Sequence, residues 1–237
     1  MARPTLKLGG ELPICRLGFG AMRVHGEEGL RVLRRALELG VTFVDTADVY
    51  GPHTSELLIA EALHPYPEGF VIGTKAGINK EPGARVRDGR PEYLPAACEA
   101  SLRRLRLERL DLFSLHRHDP DVPIEESVGA LDELRREGKI RLIGLSNVSL
   151  PQLRQAQAVA PIAAVQNAFN RGYLVSEPVL EACEADGIAF MPWQPLGEGL
   201  RSPVEELRWL LGRSPALVPI PGTSSVAHLE ENMRALA

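Results

Sequence analysis

The sequence lacks the features that mark several large classes of protein. Its three cysteines, Cys15, Cys98 and Cys183, are odd in number and far apart, so they predict neither a disulfide framework nor a thiolate metal site. No apolar run approaches the ~20 residues that a membrane-spanning helix needs. The first residues also lack the apolar core of a signal peptide. We therefore expect a protein of a reducing compartment, the cytoplasm, that does not enter a membrane.

Positive charge is also scarce. The chain holds 27 Lys and Arg residues against 31 Asp and Glu, which gives a formal net charge of −4. Nucleic-acid binders and anionic-membrane binders need a basic surface, so this balance argues against both kinds of partner. Only four of the basic residues are lysines, which makes Lys75, inside an apolar segment, conspicuous. The proportions of hydrophobic residues (44%) and charged residues (24%) are ordinary and exclude a disordered chain.

The chain does contain a regular alternation of short apolar segments and longer amphipathic ones. A candidate hairpin comes first, with strands at 6–8 and 11–12 around the turn Gly9-Gly10. Eight strand candidates of buried type follow, each succeeded by a helical pattern: Cys15–Gly20, Val41–Thr46, Phe70–Lys75, Leu110–His116, Ile140–Ser146, Ile162–Asn167, Ile188–Trp193 and Leu217–Pro221. The spacing of roughly 30 residues is typical of βα repeats.

Eight such units without a linker favour a closed (β/α)8 TIM barrel of the α/β class, preceded by the N-terminal β-hairpin. We expect residues 1–237 to form this barrel as a single domain. Repeats alone do not separate a closed barrel from an open doubly wound sheet. The Rossmann alternative is weak, however, because residues 18–23 after the first strand lack the third glycine of its fingerprint.

Local signals mark several helix ends. Ser149 with Gln152 and Ser202 with Glu205 fit capping boxes at helix starts, each with an early proline. Glycines that suit helix C-caps stand one to three residues before strand candidates: Gly40, Gly138 and Gly187.

Polar side chains close five consecutive strand candidates. They are Asp45, Lys75, His116, Ser146 with Asn147, and Gln166 with Asn167. In a barrel, chemistry takes place at this end of the strands. Five polar strand ends in succession therefore suggest one shared site, and Tyr50 follows the first of them closely.

Each of these residues alone has an ordinary structural explanation. Asp45 suits a turn or a helix cap, Tyr50 suits the barrel rim, and His116 suits a buried core position. His116 and His118 could also begin a metal site, but no third ligand stands at a suitable spacing, so we predict no metal. Lys75 is harder to explain, because a buried ammonium is costly unless it is paired.

Together, these residues suit carbonyl reduction. Asp45 and Lys75 lie on adjacent strands and would form an ion pair at the barrel top. A lysine against a tyrosine hydroxyl lowers the phenol pKa from ~10, so we expect Tyr50 to act as a general acid near neutral pH. His116 could donate a hydrogen bond to the same carbonyl oxygen and orient it.

Several motifs in order resemble the aldo-keto reductase superfamily over essentially the whole chain. They are LGFG at 17–20, DTADVYG at 45–51, GTK at 73–75, LRRL at 102–105, DLFSLH at 111–116, GKIRLIGLSN at 138–147, VQN at 165–167 and IPGTS at 220–224. The resemblance implies a (β/α)8 barrel that binds NADPH, with NADH as an alternative. It also implies transfer of the pro-R hydride from C4 of the cofactor to a small-molecule carbonyl substrate.

The same resemblance implies roles for individual residues. Asp45, Tyr50, Lys75 and His116 match the catalytic tetrad. The residues that match cofactor-binding positions, from the nicotinamide to the adenosine 2′-phosphate, are Ser146, Asn147, Gln166, Trp193, Leu196, Gly197, Gly222, Thr223, Ser224, His228, Glu231 and Asn232. The start of the final helix is also physically suited to a phosphate, because its free N–H groups favour anions.

The sequence departs from the family pattern in two ways. Gly222 and His228 stand where many relatives have lysine and arginine, which predicts weaker discrimination for the 2′-phosphate. The long loop before Ser202, the loop at 21–28 and the C-terminal tail are short or missing. This predicts an open, shallow site with low substrate selectivity, or a site that a partner subunit or a bulky substrate completes. The resemblance also leaves two alternatives: an NADPH-binding regulatory module without turnover, and a biosynthetic reductase acting on one bulky substrate. No pattern in the chain predicts an oligomeric state.

Overall fold

A curled parallel sheet forms the centre of the computed structural model, which describes residues 4–80, 83 and 85–237. The predicted hairpin precedes it, with strands β1 (Thr5–Leu8) and β2 (Leu12–Cys15). Gly9 and Gly10 both have positive φ in its turn, as tight hairpins require. The seven sheet strands lie beside one another in chain order: β3 (Phe19–Gly20), β4 (Phe43–Asp45), β5 (Val71–Ala76), β6 (Leu110–Leu115), β7 (Ile140–Ser146), β8 (Ile162–Gln166) and β9 (Ala189–Phe190).

Residues 216–222 close the ring between β9 and β3. On one side Phe190 N donates to Ala216 O at 2.8 Å, and on the other Gly18 N donates to Pro219 O at 3.0 Å. The predicted eighth strand is therefore present as a closing segment, but not as a regular strand. The reason is that prolines at 219 and 221 have no N–H with which to continue a ladder. The closed barrel is confirmed.

The helices cover the outside of the ring. They are α1 (Gly26–Glu38), α2 (Thr54–Leu63), α3 (Tyr93–Leu105), α4 (Ile124–Arg136), α5 (Leu150–Gln157), α6 (Glu177–Asp186), α7 (Pro203–Arg213) and α8 (Val226–Met233). The capping box of Ser149 and Gln152 is confirmed. The predicted box at Ser202 is wrong: α7 begins after it, but the Ser202 side chain makes no cap hydrogen bond. Within the described ranges, no helix is long and apolar enough to cross a bilayer.

Alternating strand residues build two apolar layers. Phe43, Val71 and Leu112 point into the barrel and pack with Leu8 and Ile14 of the hairpin. Their chain neighbours point outward and pack against the helices: Val44, Ile72 and Phe113. Because the hairpin covers the amino ends of the strands, the mouth at their carboxyl ends stays open for the site.

Candidate active site

The four predicted catalytic side chains lie together at the barrel mouth. Asp45 ends β4, Lys75 lies near the end of β5 and His116 directly follows β6. The Lys75 Nζ atom is 2.9 Å from Asp45 Oδ2 and 5.0 Å from the centroid of the Tyr50 ring. The Tyr50 and His116 rings meet edge to face, with their centroids 5.7 Å apart. Adjacent strands thus bring the four groups into one contiguous cluster.

The ion pair at the base of this cluster is buried and fully hydrogen-bonded. Lys75 is 1% exposed, and its ammonium also donates to the Thr46 carbonyl. The second oxygen of Asp45 accepts from Gln166 Nε2 at 2.9 Å, across the barrel. Burial lowers the pKa of Lys75, but Asp45 and Tyr50 more than offset this, so its pKa lies above the usual value. Lys75 therefore carries a fixed positive charge.

The Tyr50 hydroxyl does not titrate as the sequence predicts. Burial raises its pKa, and the Lys75 charge and hydrogen bond only partly oppose that effect. The net pKa lies above the ordinary value, so the expectation of a lowered phenol pKa is wrong. Burial outweighs the ammonium because the phenolate would lose more hydration than one neighbouring cation replaces. Tyr50 is consequently fully protonated at neutral pH.

His116 is held as a neutral imidazole. It is 8% exposed, and its Nδ1 atom has no hydrogen-bond partner in the part of the chain that the structure describes. Burial lowers its pKa to about 2, and the charges of Lys75, Arg117 and Lys80 act in the same direction. A neutral imidazole carries one N–H donor and one acceptor. The ring can therefore donate to an oxygen at the mouth without changing its charge.

His118 plays no part in this cluster. One ring nitrogen lies 3.1 Å from Gln152 Nε2 and the other 3.2 Å from the Val122 carbonyl oxygen. Both nitrogens are thus engaged in fixing the loop after β6 to the start of α5. Among the described residues, no group of three His, Cys, Asp or Glu side chains is arranged to hold a metal ion.

A cavity of about 630 Å³ opens directly above the cluster. Asp45, Tyr50 and His116 line its floor, while Lys75 lies beneath it. Its remaining wall includes seven of the predicted cofactor-binding residues: Ser146, Asn147, Gln166, Trp193, Leu196, Gly197 and Gly222. The structure therefore brings these residues to the same space as the tetrad.

Trp193 and Asn147 form one side of this cavity as a unit. Trp193 Nε1 donates to Asn147 Oδ1 at 3.1 Å. The Asn147 amide nitrogen in turn donates to Ser146 Oγ at 2.9 Å and to the His116 carbonyl oxygen at 3.3 Å. Asn147 adopts φ of 57°, a left-handed conformation that asparagine tolerates. The indole ring is consequently fixed as a wall of the cavity beside His116.

The other five predicted cofactor residues lie outside this cavity. They occupy the loop and helix that follow the closing segment: Thr223, Ser224, His228, Glu231 and Asn232. Ser225 caps α8 by accepting from His228 N at 3.5 Å, and Ser225 N donates to Thr223 Oγ1 at 3.0 Å. Because Gly222 belongs to both regions, the loop continues the cavity wall toward the start of α8.

Sequence reasoning assigned no role to Asp48, although it lies inside the motif at 45–51. Its side chain is 3% exposed, and its Oδ1 atom has no hydrogen-bond partner within the described chain. Burial raises its pKa to about 7, and the neighbouring Glu56 adds to that effect. The position of Asp48 between the apolar residues Ala47 and Val49 is the signal that could have predicted a buried carboxyl.

Asp48 makes the stability of the fold depend on pH. Its pKa is raised in the folded chain, so it contributes stability that is present below its unfolded value of 3.8 and is lost as the pH rises to about 7. We expect this loss to reach about 4 kcal/mol in the free energy of unfolding. Urea unfolding at several pH values should show a flatter profile for Asp48→Asn than for the wild type. Parallel profiles for the two proteins would contradict the assignment, and exposed Glu61→Gln on α2 is the matched control.

The amino-acid sequence is similar to one protein family and to individual known proteins. The sequence profile of the Aldo/keto reductase family matches residues 16–206. An oxidoreductase of Schizosaccharomyces pombe is 41% identical to this chain, and the alignment covers 98% of this chain and 84% of the relative. The pyridoxine 4-dehydrogenase of Escherichia coli is 37% identical over 268 positions, covering 99% and 93% of the two chains.

Solved structures of related enzymes have the same fold. A glycerol dehydrogenase from Gluconobacter oxydans superposes with a TM-score of 0.92 at 25% identity, covering 100% of this chain and 91% of its own. An aldo-keto reductase from Klebsiella pneumoniae, solved in complex with NADPH, superposes with a TM-score of 0.84 at 25% identity, covering 100% and 90%. With the profile match and the curated relatives, these likenesses establish that the chain belongs to the aldo/keto reductase family and is an NAD(P)H-dependent oxidoreductase.

Proposed function

We propose that this protein reduces an aldehyde or ketone to the alcohol, with NADPH as hydride donor and Tyr50 as proton donor. The observation that carries the proposal is the convergence of Tyr50, Lys75, Asp45 and His116 beneath one open cavity. We also infer a reducing, cytoplasmic setting, which the three buried and unpaired cysteines support.

The residues present suit a dinucleotide that runs from the tetrad to α8. Ser146, Asn147 and Gln166 offer hydroxyl and amide groups to a carboxamide, and the Trp193 indole offers a flat face to a nicotinamide ring. At the other end, the first N–H groups of α8 favour a phosphate. When bound, NADPH supplies the hydride for the carbonyl carbon.

The four side chains have different roles at the carbonyl oxygen. Tyr50 is protonated and can give its proton to the oxygen as negative charge develops there. Lys75 stabilises the phenolate that this leaves, and Asp45 holds the ammonium charged and in place. Neutral His116 can donate its N–H to the same oxygen, which orients the carbonyl and stabilises the developing charge.

Loss of NADPH absorbance with a panel of aldehydes and ketones tests the proposal. Because one relative is a pyridoxine 4-dehydrogenase, the panel includes pyridoxine with NADP⁺ in the reverse direction. We expect turnover of several carbonyl compounds with NADPH, and slower turnover with NADH. Tight NADPH binding with no turnover of any compound would instead favour a regulatory module. Turnover of one large substrate alone would favour the biosynthetic alternative.

The cavity should release its cofactor quickly. Only residues 191–202 connect β9 to α7, and Leu200 in this connection is 84% exposed. The alignment with the Escherichia coli relative runs over 268 positions against 237 residues here, so that relative carries segments this chain lacks. We expect faster NADPH release than from that enzyme in stopped-flow fluorescence, by about tenfold or more if a covering loop contributes ~1.4 kcal/mol. Equal release rates would argue against an open site.

A further inference from the structure

Positive charge is unevenly distributed around the active-site cavity. Among the residues that the structure describes, three cationic side chains line it, namely Arg23, Lys80 and Arg117, against two acidic ones, Asp45 and Glu198. Asp45 is already neutralised by Lys75 beneath it. The cavity therefore has a net positive lining, although the protein as a whole is slightly acidic.

The strand order divides these charges between two sides of the mouth. Arg23 follows β3, which borders the closing segment and Gly222, and Glu198 lies beside Leu196 and Gly197. Both therefore lie on the side predicted to bind the cofactor. Lys80 follows β5 and Arg117 follows β6, on the opposite side of the ring. There, beyond the paired Asp45, the described side chains that line the cavity include no acid: Val49, Tyr50, Ile78, Lys80, His116 and Arg117.

Arg117 is the more constrained of these two cations. It is half-buried beside His116, and its Nε atom is buried without a hydrogen-bond partner among the residues described. Other half-buried arginines in this protein are satisfied: Arg104, for example, donates to the buried Glu56 at 2.6 Å. An unpartnered buried donor is costly. Because Arg117 also lines the cavity, an anion bound there can contact its guanidinium.

The charges of Arg117 and Lys80 also act on His116, the residue that we propose orients the carbonyl group. Together with burial and Lys75, they lower the pKa of the His116 imidazole. A guanidinium presents paired N–H donors that match the geometry of a carboxylate or a phosphate. An anion bound there would lie one residue from the group that orients the carbonyl.

We infer that the carbonyl substrate carries a negatively charged group, a carboxylate or a phosphate, that binds Arg117 with support from Lys80. This inference rests on the proposed function, because it names the substrate class of the same site. The two anionic groups share one recognition chemistry at this position, and matched substrates distinguish them.

Matched substrate pairs test the inference with the whole chain and saturating NADPH. One pair is carboxybenzaldehyde and methylbenzaldehyde, both para-substituted, and the other is glyceraldehyde phosphate and glyceraldehyde. We expect kcat/KM to favour the anionic member of at least one pair by about tenfold to a hundredfold, the effect of a charged hydrogen bond. The pair with the larger ratio identifies carboxylate or phosphate as the preferred group.

Variants then locate the effect. Arg117→Gln should lower kcat/KM for the preferred anionic substrate by about tenfold or more and leave kcat/KM for the neutral member of the pair within about twofold. Arg117→Lys keeps the positive charge, so it should retain part of the kcat/KM that Arg117→Gln loses. Lys80→Gln should act in the same sense as Arg117→Gln but more weakly, because Lys80 is exposed and screened by salt. Arg103→Gln, exposed on the outside of α3, is the matched control and should change neither substrate.

The outcomes separate the two claims. Equal kcat/KM for anionic and neutral members in both pairs would overturn the inference while supporting carbonyl reduction. An equal loss for both members in Arg117→Gln, with circular dichroism and NADPH binding unchanged, would also overturn it. If no member of either pair is reduced, the proposed function itself fails.

Discussion

Replacing Tyr50 by phenylalanine should abolish carbonyl reduction. The change removes one oxygen atom, and with it the proton donor that we propose for the carbonyl oxygen. General acid catalysis typically contributes a factor of about 10² to 10⁴, so we expect kcat to fall at least that far. The ring would still pack against His116 and Lys75. NADPH affinity, measured by fluorescence titration, should therefore stay within about twofold.

A second tyrosine provides the control for this experiment. The Tyr66 hydroxyl donates to the Leu105 carbonyl oxygen at 2.7 Å, outside the active-site cavity. Tyr66→Phe should cost stability of about 1 kcal/mol, the net value of a hydrogen bond, and leave kcat unchanged. Full activity in Tyr50→Phe would show that the proton comes from another group.

Replacing Lys75 by methionine should damage both stability and activity. Methionine fills similar volume but leaves the Asp45 carboxyl buried without its cation. Removing one partner of a buried ion pair typically lowers the free energy of unfolding by about 3–5 kcal/mol. Turnover should fall by about a hundredfold or more, because the phenolate of Tyr50 loses its stabilising charge. Urea unfolding and steady-state kinetics measure the two effects separately.

The double variant Asp45→Asn with Lys75→Met separates the structural cost from the chemical one. It contains no unpaired charge, so most of the lost stability should return. Activity should not return, since the ammonium beside Tyr50 is still missing. Recovery of activity along with stability would mean that the pair serves the fold alone.

The sequence predicted the barrel well because its signals are local and repeated. Apolar strand candidates such as 70–75 and 140–146 are each followed by a helical pattern, and the count of eight such units indicates a closed barrel. The closing segment was harder, because its prolines prevent the regular pairing that its apolar pattern suggests. The capping box predicted at Ser202 failed for a related reason: a matching residue pattern does not dictate the side-chain geometry.

The candidate site was predictable in its members but not in its electrostatics. Strand ends and the family resemblance identified Asp45, Lys75 and His116, which the structure brings together. The direction of the Tyr50 pKa depends on how much water the surrounding loops exclude, and no spacing of residues records that. The orphan oxygen of Asp48 and the unpartnered nitrogen of Arg117 are likewise properties of packing. Only coordinates disclose them.

The most direct test of the proposed chemistry follows the hydride into the product. The protein is incubated with an aldehyde and NADPH deuterated at the pro-R position of C4, and the alcohol is analysed by mass spectrometry. The account predicts an alcohol that carries deuterium on the carbinol carbon with wild-type protein, and no labelled alcohol above background with Tyr50→Phe. Unlabelled alcohol from the wild type, or labelled alcohol formed at an undiminished rate by Tyr50→Phe, would contradict it.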